Sequence, residues 1–407
     1  MEIYAEGPEH ARIMLIGEAW GEAEEKEKRP FVGRAGQVLD GILAEVGIPR
    51  ALCRTTNVIH ERPPNNNFGV YYEGGKPSAK LTEAYDRLAN EIATCQPTII
   101  VCLGNEALRA VMGFGGILDW RGSVLTSPNG IKVIPTIHPA AILRDWLLRP
   151  CTVADFHKIA KESEYGEIRK TQRDAVIRPS LEEALGYIEA AKQAEWLSVD
   201  IETETNQITC IGLSIDGRRA ICIPFWFGSS GSLWDEPSEQ LLWSRLKEIL
   251  EADTPKKITQ NGTYEMEFLT RTVGIHPKIH FDTMLAWHTL YPELPMSLAY
   301  LVSVYTDHPF YKYMRKTDNM CILWTYNCLD SMLTHECAMK IMQELKEEGL
   351  LTFYYEYVHS LIEPLFSMTE RGVQVDIERR KALKTKLSNE VTELQAKIES
   401  LIGHKIN

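Results

Sequence analysis

Four short apolar runs constrain the first third of this chain: Ile13 to Ile16, Thr56 to Ile59, Thr98 to Leu103 and Val133 to Ile137. Each is long enough for one buried strand and too short for a helix. Between them, Gln37 to Val46, Leu81 to Thr94 and Asn105 to Val111 space their apolar residues as helices do. Such alternation predicts a parallel sheet with helices on both faces, because parallel neighbours can be joined only by a crossover. Sheets of this kind bind ligands beyond the carboxyl ends of their strands. There the sequence puts Gly17-Glu18-Ala19-Trp20-Gly21, Asn57, Gly104-Asn105 and His138-Pro139, so a carboxylate, an amide and an imidazole are predicted to share one rim. Taken singly, Glu18 and Asn57 would also serve as a helix cap and a turn residue, and His-Pro as a structured turn.

Taken in order, GEAWGEAEEKEKRPFVGRAGQVLD, TTNVIHERPPNNN, IIVCLG and PTIHPAAILR resemble the family 4 uracil-DNA glycosylases, across roughly residues 10 to 160. The resemblance implies an α/β, three-layer glycosylase-like domain that flips uracil out of DNA and hydrolyses its bond to deoxyribose. It assigns base stacking to Phe31 and recognition of the uracil edge to Asn57, whose amide both donates and accepts. It gives His138 the stabilisation of the leaving uracil anion and places Glu18 near the attacking water. Two departures stand out. The family's iron–sulfur cluster draws cysteines from ahead of the first strand and from just before the RPP motif. Here the first cysteine is Cys53, and Glu61 precedes Arg62-Pro63-Pro64, so no iron–sulfur cluster is expected. Trp20 replaces the family's proline and is expected beside the pocket, sealing or filling it. Arg34, Arg62, Arg121 and Arg144 lie near these motifs and are candidate phosphate contacts.

The chain has 407 residues, enough for two or three domains, and carries 44 Lys and Arg against 56 Asp and Glu. A net charge of -12 excludes binding nucleic acid by bulk charge, but not an enzyme that confines its basic residues to a groove. Nine cysteines without a CxxC pair suit a reducing compartment, and most are expected to be buried thiols. The opening MEIYAEGPEH is no signal peptide, and no apolar run approaches the roughly 18 residues of a membrane span. A cytoplasmic protein without a membrane partner is expected, in the host cytoplasm if the chain is a phage's.

From about Lys158 to Pro179, charged residues without apolar periodicity predict a linker, bounded at 166–179 between domains at 1–165 and 180–348. Ser180 and Glu183 form the capping box of a helix over Leu181 to Ala191. Trp196 to Glu204 alternates as a half-buried strand, which puts Asp200 and Glu202 on one face, where adjacent carboxylates call for a cation. Asn261 and Glu265 share a face if Thr259 to Leu269 is helical, and Tyr326 and Asp330 repeat that spacing. In order, these segments resemble the three motifs of the tyrosine-bearing DEDD 3'-5' proofreading exonucleases of family A DNA polymerases, over about residues 180 to 345. The resemblance implies a ribonuclease H-like domain in which Asp200, Glu202, Glu265 and Asp330 hold a pair of Mg2+ or Mn2+ ions. Tyr326 then orients the water, and Asn261 is taken as a substrate contact. Glu265 stands where the family has Asp, and its extra methylene, enough to shift a metal by about an ångström, leaves two outcomes open: activity with Mn2+ favoured, or weak activity. Asp282 reads as a helix cap before Thr283 to Thr289, and His276, His280 and His288 read as structural.

After Gly349 two long helices are expected, Leu350 to Met368 and Ile377 to Ile402, with Gly372 stopping the first and Asp376 capping the second. Their separator, with Pro364 upstream, resembles the entry to a family A polymerase thumb, so 349–407 is expected to be a helical tail that begins one. No palm or finger motif is present. The chain is expected to be a fragment, or to work with a separate polymerase chain, and not to polymerise DNA unaided. The sequence thus predicts the amino-terminal part of a phage DNA replication or repair protein that acts on single-stranded 3' ends, uracil-containing DNA included. Two alternatives stay open: a catalytically silent uracil- or DNA-binding module, and a purely structural extension.

Overall fold

The computed structural model describes residues 4–226 and 231–405, so the outermost residues of the first and last expected domains lie outside the described residues. The first apolar run becomes β1 (Ile13–Ala19), followed by α1 (Glu22–Glu27) and α2 (Arg34–Glu45). Next come β2 (Cys53–Ile59), the hairpin β3 (Tyr72–Glu73) and β4 (Lys76–Pro77), α3 (Ala79–Cys95), β5 (Ile99–Leu103), α4 (Asn105–Met112) and α5 (Ile117–Trp120). β6 (Leu125–Thr126), β7 (Lys132–Thr136), α6 (Pro139–Ile142) and α7 (Leu148–Glu162) complete the unit. The sheet order is β2-β1-β5-β7-β6, parallel except for β6 at the edge. Period-two alternation explains the three layers. Met14, Ile16, Ile100 and Cys102 face Leu81, Leu88 and Ile92 of α3. Ile13, Leu15, Ile99 and Val101 face Leu39 and Ile42 of α2 and Phe156 of α7.

The second sheet is assembled from β8 (Asp174–Ile177), α8 (Leu181–Ala191), β9 (Trp196–Glu204), β10 (Gln207–Ser214), β11 (Arg219–Pro224), α9 (Glu236–Glu251), β12 (Lys256–Thr259), α10 (Thr263–Val273) and β13 (Ile279–Asp282). Its order is β13-β12-β9-β10-β11-β8, an antiparallel β9-β10-β11 meander flanked by parallel partners. The expected capping box opens α8, with Glu183 N–H to Ser180 Oγ at 3.2 Å and Ser180 N–H to Glu183 Oε2 at 2.7 Å. α11 (Thr283–Leu290) and α12 (Leu298–Tyr305) lead to the long α13 (Met320–Glu347), which crosses the face opposite α8 and α9.

The segment expected as a linker is built into the structure instead. α7 continues to Glu162, and β8 pairs in parallel with β11. The Arg173 guanidinium lies between Asp307 and Glu336, at 2.6 Å from each. Arg173 is held by ion pairs and β8 by backbone pairing at the sheet edge rather than by apolar side chains, so apolar periodicity could not reveal the segment. Phe156 and Ile159 of α7 join one apolar cluster with Trp287, Leu301 and Ile341, so both sheets belong to a single compact unit that extends to Ser360. Arg121, read as a phosphate contact, is corrected by this junction: it is buried in a bidentate pair with Asp155 and donates to Ser303 Oγ at 3.0 Å.

The expected helix from Leu350 to Met368 is broken into α14 (Leu351–Phe353), a π turn over Tyr354–Val358, a 3-10 turn and α15 (Ile362–Arg371). Two causes coincide. Tyr354 is fully buried, its hydroxyl accepting from the Asp282 N–H at 2.8 Å, and Pro364 has no N–H and crowds the carbonyl of Ser360, four residues back. From Leu361 the chain forms a second unit, in which Gly372 ends α15 and the Asp376 side chain caps α16 (Ile377–Ile402) at the Arg379 N–H, 2.9 Å.

Burial and neighbouring cations keep two histidines of the first domain neutral: burial and then Arg87 lower His60 to about 3, and burial and then Arg144 lower His138 to about 4. A depressed imidazole pKa leaves the unfolded chain binding more protons below its ordinary value, so stability falls as pH drops from about 6.5 toward 4. Each histidine is expected to cost about 1 kcal/mol at pH 5.5 relative to pH 7. Urea unfolding of wild type and of a His60→Gln chain at both pH values checks this: the variant's loss of stability between pH 7 and pH 5.5 should be smaller than the wild type's by about 1 kcal/mol.

Candidate active sites

The first site lies at the carboxyl ends of β1, β2 and β7. Parallel pairing puts Gly17 opposite Asn57. A Cβ at Gly17 would stand 2.5 Å from both Asn57 Nδ2 and Phe31 Cζ, so glycine is what lets amide and ring meet. Phe31 takes a left-handed backbone (φ +53), held by Arg50, whose guanidinium reaches the Phe31 and Pro30 carbonyls at 3.0 and 2.9 Å. Asn57 is buried, with Oδ1 lacking a protein partner. Beneath it the buried Arg87 donates to the carbonyls of Asn57 and Val58 at 2.8 and 2.7 Å and to Glu91 at 3.0 Å, fixing the strand end. Sequence reading missed Arg87 and Arg50, since an arginine on a helix or in a loop is ordinarily a solvated one.

The His138 ring lies 5.8 Å from that of Phe31. Its Nδ1 accepts the Ala140 N–H at 3.1 Å, so the neutral ring carries its proton on Nε2, free to donate. Burial, then the charge of Glu106, raises Glu18 above the ordinary carboxylate range. Trp20 neither seals nor fills the space between these groups. It is buried against His60, stacked at 5.5 Å and 15°, and against the edge of Tyr4 at 5.2 Å.

An iron–sulfur cluster is not what the neighbouring residues fit. Glu61 pairs with Lys80 at 2.5 Å and accepts from Tyr71 at 2.6 Å. The Cys53 and Cys95 thiols donate to the Pro49 and Ala11 carbonyls at 3.7 and 3.8 Å, and burial raises both pKa values.

The second site forms where α13 meets β9. Asp200, Glu202 and Asp330 each offer an oxygen, all within 4.8 Å of one another. Gly212, paired with Asp200 across β10, makes the approach possible: a Cβ there would lie 2.4 Å from Ser331 Oγ and 2.5 Å from Asn327 Oδ1. Asn327 then donates to Asp200 Oδ2 at 2.7 Å. Cations answer the gathered charge. Lys312 Nζ lies 2.7 and 2.9 Å from the Asp330 oxygens and 2.8 Å from Tyr326 Oη, Arg315 lies 3.7 Å from Glu202, and Tyr311 donates to Asp330. Sequence reading missed all three, because they sit in a 3-10 turn and at its entry, outside the motifs; the one local signal is a lysine flanked by tyrosines.

Glu265 stands apart from the three-carboxylate group. It is buried on α10 with Oε2 unpartnered, and burial, then the charges of Asp282, Glu202 and Asp330, raises its pKa. Asn261 is not on the helix with it. α10 begins at Thr263, and Asn261 adopts φ +66 because Asp282 Oδ1 and Oδ2 take the N–H groups of Asn261 and Gly262, at 3.3 and 2.7 Å. Asp282 also caps α11 through Met284 and Leu285. A hard, oxygen-rich donor set whose charges repel, with an orphaned carboxylate oxygen beside it, fits a divalent cation. Asp200 and Glu202 are raised chiefly by burial and then by Asp330, Glu202 to about 7.

These two sites define a protein that pairs a glycosylase-like rim with a carboxylate exonuclease centre. The profile of the uracil DNA glycosylase superfamily matches residues 4–160, and that of the 3'-5' exonuclease domain of family A polymerases matches 178–346. The type-4 uracil-DNA glycosylase of Sulfurisphaera tokodaii is 38% identical over 163 residues, 38% of this chain and 71% of that one. That of Thermotoga maritima is 38% identical over 145 residues, 35% of this chain and 72% of that one. The chain therefore belongs, through its first domain, to the uracil-DNA glycosylase superfamily, and its second domain is a 3'-5' exonuclease domain. A DNA polymerase of Bacillus phage SP01 is 24% identical over 316 residues, covering 69% of this chain and 33% of that polymerase.

If Asp200 and Glu202 hold a cation, both must first lose protons that burial and Asp330 keep bound above the ordinary carboxylate range, so divalent metal is expected to bind the DNA-free protein at least about tenfold more tightly at pH 8 than at pH 6. Mn2+ titration followed by electron paramagnetic resonance checks this; pH-independent binding would remove Glu202 from the ligand set.

Proposed function

We propose that this chain is the amino-terminal part of a phage DNA replication protein that removes nucleotides from DNA 3' ends at 180–348 and excises uracil at 1–165. The observation that carries the reading is the Asp200, Glu202 and Asp330 group capped by Lys312 and Tyr326. Asp200, Glu202 and Asp330 would hold Mg2+ or Mn2+, with Glu265 nearby as a further carboxylate. Metal at this site supplies charge for the attacking and leaving oxygens of a phosphodiester. Tyr326, its hydroxyl kept protonated by burial and by Asp330, orients the water, and the Lys312 ammonium sits within reach of the scissile phosphate. Asn261 is placed to touch the terminal nucleotide from outside α10.

At the first site, Phe31 offers a ring for the flipped base and Asn57 an unpartnered amide oxygen for its edge. The His138 Nε2–H donates to O2 of the leaving uracil, and Glu18 faces the attacking water. Arg144, whose charge lowers His138, also serves the anion. Partners are single-stranded 3' ends, uracil-containing DNA included, and a polymerase chain, with the host cytoplasm as the place of action. Among the described residues no helix is long and apolar enough to cross a membrane.

The test is a 3'-labelled oligonucleotide with one uracil, incubated in Mg2+ and in Mn2+, with abasic sites read in EDTA. Mononucleotide release that needs metal, and falls about a hundredfold or more in Asp200→Ala, is expected. Full release by that variant would sink the exonuclease assignment. Abasic sites should form in EDTA and fall about a hundredfold in His138→Ala, with wild-type excision unaffected by His138 titration between pH 5.5 and 8, since that ring stays neutral there. Excision unchanged in His138→Ala would remove His138 from the reaction.

A further inference from the structure

The turn that brings Lys312 and Arg315 onto the carboxylates is rooted in the other domain. The Phe310 N–H donates to Ser123 Oγ at 3.0 Å, and the Phe310 and Tyr313 rings meet Trp120 at 5.6 and 6.3 Å. The root is held as well. Lys158 Nζ ties the Gly122 carbonyl (2.8 Å) to those of Ser303 and Thr306 (2.8 and 2.6 Å). Gly122, at φ +71, leaves no room between the domains: a Cβ would lie 3.0 Å from the Ser303 carbonyl. From Phe310 to Lys312, the chain passes from contact with Ser123 and Trp120 to contact with Asp330. A span of two peptide units cannot be displaced at one end without shifting the other.

We infer that Trp120 and Ser123 of the glycosylase-like domain are positioning residues for the exonuclease, acting through the 310–315 turn to hold Lys312 and Arg315 on Asp330 and Glu202. The inference rests on the exonuclease reading above. It makes the first domain part of the working geometry of the second site, whatever the first domain does to uracil.

The test is a double-mutant cycle in the full chain: wild type, Trp120→Ala, Lys312→Ala and both together, with Trp120→Phe as the conservative variant. Steady-state release from a 3'-labelled single strand gives kcat and KM, and electron paramagnetic resonance gives Mn2+ binding without DNA. Trp120→Ala is expected to lower kcat about tenfold with KM within about twofold, and Trp120→Phe to keep at least about half of the rate. The double variant should be no slower than Lys312→Ala alone, because both act through one ammonium. Without DNA, that ammonium competes with a cation for Asp330, so Mn2+ should bind several-fold more tightly in either single variant and no more tightly in the double. An undiminished kcat in Trp120→Ala, losses that multiply in the double variant, or Mn2+ binding that tightens in Lys312→Ala alone would overturn the inference. If wild type releases no nucleotide, the exonuclease reading fails, and the Mn2+ cycle still decides whether Trp120 acts on Lys312. Should Trp120→Ala fail to fold by thermal unfolding, Ser123→Ala, which loses only the Phe310 hydrogen bond, takes its place with smaller shifts in the same directions; no shift in either quantity would overturn the inference.

Discussion

The carboxylate centre of the second domain depends on how closely α13 lies against the middle of the second sheet. Tyr326, Asn327 and Asp330 come from that helix, and Asp200 and Glu202 from β9. The helix can settle there because Gly212, beside Asp200 on β10, presents no side chain to Asn327 and Ser331. A residue of any size at that position would lift the helix and part the carboxylates. Around this contact Cys210, Cys222, Cys328 and Met332 pack as a small apolar cluster, so the acidic group stands on a dry floor. That floor is the reason the pKa values rise: the carboxylates lose water and gain one another as neighbours.

Both sites solve the same problem, a cluster of polar groups at the edge of an apolar core, by enlisting cations from elsewhere in the chain. Lys312 and Arg315 answer the carboxylates of Asp330 and Glu202. In the first domain Arg87 gathers the carbonyls at the end of β2, and Arg50 gathers those on either side of Phe31's strained backbone. The junction between domains repeats the device with Arg121 on Asp155 and Arg173 between Asp307 and Glu336. A net charge of -12 conceals this arrangement, because each of these basic residues is paired within the structure.

Much of the fold was legible because it is written in local periods. The four apolar runs became β1, β2, β5 and β7, and the capping box at Ser180 and the cap at Asp376 opened the helices they were expected to open. Where local signals failed, long-range packing had overridden them. The segment to Pro179 looked like solvated charge and is an edge strand with an internal ion pair. The helix expected from Leu350 breaks where Tyr354 is drawn inward to Asp282, and Asn261 leaves the helix of Glu265 because Asp282 captures its N–H.

By itself, the sequence determined the element order, the parallel first sheet, the pairing of Asp200 with Glu202 on one strand face and that of Tyr326 with Asp330 on one helix, since each follows from a spacing of two or four residues. Only the tertiary structure decided that these pairs meet, that Glu265 stands outside the three-oxygen group, that Trp20 turns to His60, and that Arg121 is a strut between domains. Those outcomes depend on which groups find partners at separations from 34 residues, Arg121 to Asp155, to 182, Arg121 to Ser303, and no local period records that.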